Sequence, residues 1–255
     1  MSHPELLYGS SKPWPRFHPV NDTIRGGKSE SSFNVSSSRN VATFSGLLDI
    51  TALGGAGFAS QSTTYSPRLS LPPSTYSGLS LSLSLPTSSH SPKDEEEKFE
   101  KPSKPTKFVL ILKNTKPPTR PDGRRESVTS YEFEFDVEEL GRSGSYEDEK
   151  DGRVVVQVEA EWNEFKATYR GRPQPDAPDL DPSDIYELSF MCRSNFGQQA
   201  GRFSLDVVSL SAIRYRRRSG GLVDFAKRIW NSIAAWVSEV KTWITRRRDG
   251  SVRLE

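Results

Sequence analysis

Cysteine is nearly missing from this sequence. Cys192 stands alone in 255 residues, which excludes an intrachain disulfide framework and fits a reducing compartment. Histidine is almost as scarce: His3, His18 and His90 fall in segments read as loops or termini, so a His-containing triad or a paired-histidine metal site has no obvious members. No long apolar run opens the chain, because Met1 to Ser11 leads into Lys12-Pro13-Trp14-Pro15 where a signal peptide would have its hydrophobic core. Secretion is therefore not expected. Pro4, Pro13, Pro15 and Pro19 also break any early amphipathic helix, and Glu5 and Asp22 add negative charge, so no mitochondrial presequence is evident. Helical periodicity is absent up to residue 221, which removes the crossover helices that a parallel sheet needs.

What the chain does have is alternation. Leu79, Leu81, Leu83 and Leu85 alternate with serines, Tyr131, Phe133 and Phe135 with carboxylates, and Val154, Val156 and Val158 follow a charged turn; each predicts a strand with one buried face. Phe108 to Leu112 is apolar throughout, as a central strand covered on both faces would be. With Val41 to Ile50, Gly57 to Gln61, Leu188 to Cys192 and Phe203 to Val207, the count reaches about eight strands. An all-β antiparallel sandwich or jelly roll over 17–213 follows. The expected organisation adds an N-terminal segment 1–16, a disordered Pro- and Ser-rich insertion 86–106, a basic Gly linker 214–221, an amphipathic helix 222–246 and a tail 247–255. Charged loops are expected at Asn114 to Arg125 and Gly141 to Arg153.

The formal net charge of +2 conceals an asymmetry. Residues 214–255 hold eleven Lys or Arg against four Asp or Glu, so the sandwich portion is net negative. The helix 222–246 carries Trp230, Trp236 and Trp243 on or beside its apolar stripe, with Asp224, Lys227, Arg228, Glu239 and Lys241 inside it, which disfavours a membrane span. It is expected either to lie on a membrane surface or to dock on protein. Nucleic acid is not an expected partner, because the arginine clusters flank an aromatic helix suited to apolar surfaces.

Between the strands that end at Cys192 and begin at Phe203, a turn with Gly197 and Gly201 is expected to hold Arg193, Asn195, Gln198 and Gln199 near the end of a sheet. Arg193, Asn195 and Gln199, with Arg170 and Arg172, are the predicted partner-binding residues of the sandwich, as Trp230, Trp236 and Trp243 are of the helix. Arg dominates interface hot spots together with aromatics. Trp162 and Phe165 read instead as the edge of the core, Cys192 as core packing, and Glu132, Glu134 and Asp136 as a solvated strand face. Gly26-Gly27 and Gly54-Gly55 read as fold glycines, since no Walker Lys-Ser/Thr follows and no helix opens there. No catalytic residues, cofactor or metal are expected.

Several short motifs come in a recognisable order: Asp22-Thr23-Ile24-Arg25-Gly26-Gly27-Lys28-Ser29; Phe44-Ser45-Gly46; Gly54-Gly55-Ala56-Gly57-Phe58-Ala59-Ser60; Tyr76-Ser77-Gly78-Leu79; Trp162-Asn163-Glu164-Phe165; Tyr169-Arg170-Gly171-Arg172-Pro173; then Met191, Ser194 and Phe196 to Phe203. Together they resemble the complex I intermediate-associated protein 30 family, the opening Leu7 to Trp14 being similar to its compact fungal branch. The resemblance implies a galactose-binding-domain-like jelly roll and a non-catalytic role as a chaperone or assembly factor. Its implied partners are assembly intermediates of mitochondrial NADH:ubiquinone oxidoreductase, and its implied compartment is the mitochondrion. The alternative is a carbohydrate-binding-like or general interaction module in the cytoplasm.

Overall fold

Side-chain alternation sorts the chain into two sheets. The computed structural model describes residues 4–86, 102–121, 125–143, 147–150 and 153–215. The helix 222–246 with its three tryptophans, the tail 247–255, most of the 214–221 linker and most of the 86–106 insertion lie outside the described residues. The strands are β1 (Glu5–Gly9), β2 (His18–Pro19), β3 (Glu30–Val35), β4 (Ala42–Leu48), β5 (Phe58–Leu69), β6 (Tyr76–Pro86), β7 (Lys107–Lys113), β8 (Ser130–Asp136), β9 (Glu147–Lys150), β10 (Arg153–Glu161), β11 (Lys166–Tyr169), β12 (Arg172–Pro173), β13 (Ile185–Arg193) and β14 (Gly201–Arg214). One sheet runs β3-β4-β14-β6-β10-β9, with β1 also on β14; the other runs β12-β11-β8-β7-β13-β5-β2. All pairings are antiparallel, as short connections without crossover helices require.

The two sheets form a jelly-roll sandwich around one core. Leu79, Leu81 and Leu83 of β6 point into it with Val154, Val156 and Val158 of β10, while Ser80 and Ser82 turn the other way toward Gln157. Each buried leucine contributes about 1.5–3 kcal/mol relative to exposure. Aromatic rings join the layers: Phe44 of β4 lies 6.3 Å from Phe190 of β13, and Phe203 of β14 lies 6.0 Å from Phe108 of β7. Strand β7 is buried at all of Phe108 to Leu112, as its uninterrupted apolar run predicts.

Three expectations change. β1 pairs with β14, and Tyr8 and Trp14 pack on the core, so the folded unit begins well before residue 17. The charged segment 141–153 is not simply a loop: a short helix α1 (Val137–Ser143) runs into it, and β9 within it pairs with β10. Glu132 is no solvated side chain, being only 9% exposed. Trp162 and Phe165 sit at the core edge as expected, the Trp162 indole N–H donating to the Tyr76 carbonyl at 2.7 Å.

Candidate functional site

Three of the motifs read from the sequence, Asp22 to Ser29, Gly54 to Ser60 and the turn from Ser194, meet at one end of the sandwich. Asp22 opens a 3-10 turn (Asp22–Arg25) and is fully buried. Its carboxyl group accepts from the Ser29 backbone N–H at 3.0 Å, the Ser29 hydroxyl at 2.7 Å and the Phe58 backbone N–H at 3.0 Å. Gly27 must be glycine here, because a Cβ would stand 2.2 Å from the Asp22 carboxyl carbon. Gly57, the residue just before β5, receives the turn that follows β13: Ser194 N–H donates to the Gly57 carbonyl at 2.9 Å, and the Ser194 hydroxyl accepts from Gly57 N–H and donates to the Gly55 carbonyl. Gln199 closes the far side. Its side-chain N–H groups donate to the Lys107 and Arg193 carbonyls, and its side-chain oxygen accepts from the Thr106 and Lys107 N–H groups.

Buried polar groups with every partner present rigidify what they hold. Here they hold three turns that project apolar side chains into solvent: Ile24, 70% exposed, Leu53, 41%, and Phe196, 94%. Leu53 and Phe196 also adopt left-handed backbone, at φ 54° and 59°. A bulky residue there is uncommon and strained, and such strain persists only where the surroundings enforce it.

Arg193 reaches across the outer face of its sheet. β7 separates β13 from β8, yet the Arg193 guanidinium bonds to Glu132 at 2.6 Å and Glu134 at 2.8 Å on β8. The β7 residues paired with these two glutamates, Val109 and Ile111, are buried. Burial disfavours its charge, but the bonds and fields of Glu134 and Glu132 outweigh this and raise its pKa. Arg193 also donates to the side-chain oxygen of Asn195, itself left-handed at φ 46°.

At the opposite end of the same sheet stands the β11–β12 hairpin. Thr168 pairs with Ser130 at the start of β8, whereas Lys107 pairs with Asp136 at its end, so the two ends are separated by about 20 Å of strand. Tyr169 faces Arg172 across a two-residue turn in which Arg170 and Gly171 take φ of 54° and 74°, the pattern of a type I′ turn. Tyr169, Arg170 and Arg172 are exposed. The Arg170 guanidinium lies 5.4 Å from the Tyr169 ring centroid and donates to Ser127, while Arg172 makes no ion pair among the described residues.

Of the predicted sandwich residues, the structure thus brings Arg193, Asn195 and Gln199 together and sets Arg170 and Arg172 apart. Gln199, only 3% exposed, has its amide engaged by the chain's own backbone, and Arg193 is an intramolecular staple. Ile24, Leu53 and Phe196 were not predicted; the only hint was Phe196 between Asn195 and Gly197 in a turn. Cys192 is buried in the core, and burial pushes its thiol up to about 12.

The sequence profile of the complex I intermediate-associated protein 30 family matches residues 6–87 and 127–207, stretches that carry at least half of every strand except β7, with the turns at Asp22, Gly57 and Ser194 and the arginine hairpin. The uncharacterized protein C9E9.15 of Schizosaccharomyces pombe is 32% identical over 213 residues, 82% of this chain and 83% of that one. Among solved structures, the family 11 carbohydrate-binding module of a Clostridium thermocellum cellulosomal cellulase aligns at 11% identity and a TM-score of 0.47, covering 86% of this chain and 99% of its own. A non-crystalline-cellulose-specific module of family 28 aligns at 8% identity and a TM-score of 0.39, covering 83% and 96%. On the profile match and the yeast relative together, the chain belongs to the complex I intermediate-associated protein 30 family.

Proposed function

We propose that this chain is a non-catalytic assembly factor that holds intermediates of mitochondrial complex I through a protein-binding surface at the β11–β12 hairpin. The observation that carries this reading is the exposed arginine turn. Tyr169, Arg170 and Arg172 are presented on a two-residue connection fixed by strand pairing, with the Arg170 backbone in a strained conformation. Aromatic and arginine side chains that are exposed yet pre-organised lose little freedom on binding, which is what an interface hot spot needs. Family membership supplies the class of client. The buried, protonated thiol of Cys192 is no nucleophile at neutral pH, which agrees with a non-catalytic role.

The test is genetic and biochemical. Deleting the gene should reduce assembled complex I on native gels and let subassemblies accumulate. Re-expression of the wild type should restore the complex, while Arg170→Ala/Arg172→Ala should restore it poorly at equal protein level. Unaltered complex I in the deletion strain would overturn the assembly role, and full rescue by the double variant would remove the hairpin from it.

A further inference from the structure

The loop end described above has no part in the proposed client contact, yet it exposes its least water-compatible side chains. Ile24, Leu53 and Phe196 rise from three separate turns. The turns are tied to one another through Gly57 and Phe58, which bond to Ser194 and Asp22. Apolar tips spread over separate convex loops do not make the flat, desolvated centre of a protein interface. They do match a fluid apolar medium that closes around each tip.

The charges beside the tips point the same way. Arg25 follows Ile24 in its own turn and Lys28 comes just after that turn, both exposed, and Lys104 stands exposed in the segment whose Ser103 bonds to Gln198 and Ala200 of the Phe196 turn. Arg202 is exposed on β14, where it faces Leu47. The acidic groups close by are Glu30, which faces Leu47 from β3, and Asp49, whose carboxylate accepts from Thr51. Glu138 and Glu139 of α1 follow Val137, whose N–H donates to the Thr106 carbonyl, so they stand at this end of the sheet on the far side of β7 from β13, and Arg193 already neutralises Glu132 and Glu134.

We propose that this end of the sandwich is a peripheral membrane-binding site, with Phe196, Ile24 and Leu53 entering the interfacial layer of an anionic bilayer and Arg25, Lys28 and Lys104 contacting its headgroups. Aromatic and aliphatic tips give affinity through the apolar area they bury, and nearby cations add attraction to anionic lipid. No helix among the described residues is long and apolar enough to cross a membrane, so the contact is one of surface insertion. It does not depend on the client being complex I.

The test is flotation of the full-length protein with vesicles of phosphatidylcholine alone and of phosphatidylcholine with an added anionic phospholipid. Binding should require the anionic lipid and weaken as salt rises. Phe196→Ser/Ile24→Ser should lower binding about tenfold with the unfolding midpoint unchanged, because both side chains are exposed. Arg25→Ala/Lys28→Ala should lower it about fivefold or more, with at most a small fall in midpoint from loss of the Arg25 contact 5.7 Å from the Phe58 ring centroid. Phe196→Trp should blue-shift in emission on adding the anionic vesicles. Absence of binding by the wild type would overturn the proposal. So would binding that Phe196→Ser/Ile24→Ser leaves intact, which would assign the contact to residues beyond 215. A Phe196→Trp emission that shifts with client protein but not with vesicles would make the tip a protein contact instead.

Discussion

Replacing Asp22 by alanine should destabilise the sandwich out of proportion to the size of the side chain. The Asp22 carboxyl group is the acceptor for two backbone N–H groups, those of Ser29 and Phe58, and for the Ser29 hydroxyl. Removing it leaves both N–H groups without that acceptor in a place where the aspartate itself is fully buried. Each unsatisfied buried donor costs about 1–3 kcal/mol. The Ser29 hydroxyl fares better, because the Asp49 carbonyl and N–H remain within reach at 3.4 and 3.1 Å. Allowing water to enter the space vacated, the sum is about 2–5 kcal/mol, a large fraction of the total stability of about 5–15 kcal/mol typical of a domain. Asp22→Asn should lose less, about 1–2 kcal/mol. Its side-chain oxygen still serves Ser29 N–H, the Ser29 hydroxyl can reverse to accept from the new amide, and only Phe58 N–H meets a donor. Equilibrium urea unfolding followed by tryptophan fluorescence measures both, since Trp14 and Trp162 pack against the core. The midpoint should fall with the m-value unchanged. An Asp22→Ala protein within about 0.5 kcal/mol of wild type would refute the claim that this carboxyl group anchors the loop end.

The Arg193 staple should show coupling: Arg193→Ala should destabilise by about 1–3 kcal/mol, largely by leaving Glu132 buried without its cation, and Arg193→Ala/Glu132→Gln should be less destabilised than the sum of the single changes. A double-mutant cycle in urea measures this, and strict additivity would contradict the pairing. Cys192 should resist iodoacetamide at pH 8 in the native protein and react once it is unfolded, because its thiol is pushed up to about 12 by burial; labelling at the native rate of a free thiol would contradict its placement. The same raised value sets a sign for stability. Its contribution is complete below the ordinary thiol pKa of about 8.5 and declines as pH climbs from there toward the folded value, so Cys192→Ala should flatten the alkaline decline of the melting temperature.

The sheets were legible where one face is apolar and the other is not. Leu79 to Leu85 and Val154 to Val158 announce strands because the pleat puts every second side chain in the core. The uninterrupted run Phe108 to Leu112 announces a strand covered on both faces, and all five residues are buried. β9 escaped notice because edge strands need little apolar content: Glu147 to Lys150 holds its place by pairing with β10. Alternation in Glu132 to Asp136 identifies the face of each carboxylate but not its solvation, and a long cation two strands away decided that. The apolar tips were least legible of all. A phenylalanine between two core strands reads as core in any count of hydrophobic residues, and only the clamps of Ser194 and Gln199, made to residues 57 and 107, turn Phe196 outward.

The positions of the two surfaces follow from strand register. One sheet carries both, the apolar turns at the Lys107 and Asp136 end and the arginine turn at the Ser130 and Thr168 end. Strands β7, β8 and β13 between them are anchored by buried Phe108, Leu110, Leu112, Leu188 and Phe190 and by the ion pairs of Arg193 with Glu132 and Glu134, so the span between the ends is stiff. With the apolar end on a lipid surface, the arginine turn stands about 20 Å above it, beyond the Debye length of about 8 Å at physiological salt. Its guanidinium groups are then free of the attraction of the anionic headgroups and available to acidic groups on a protein. The same separation makes the ends energetically independent. A sandwich of this kind needs no moving part to offer a client while it rests on a membrane, because the order of its strands already faces the two surfaces in opposite directions.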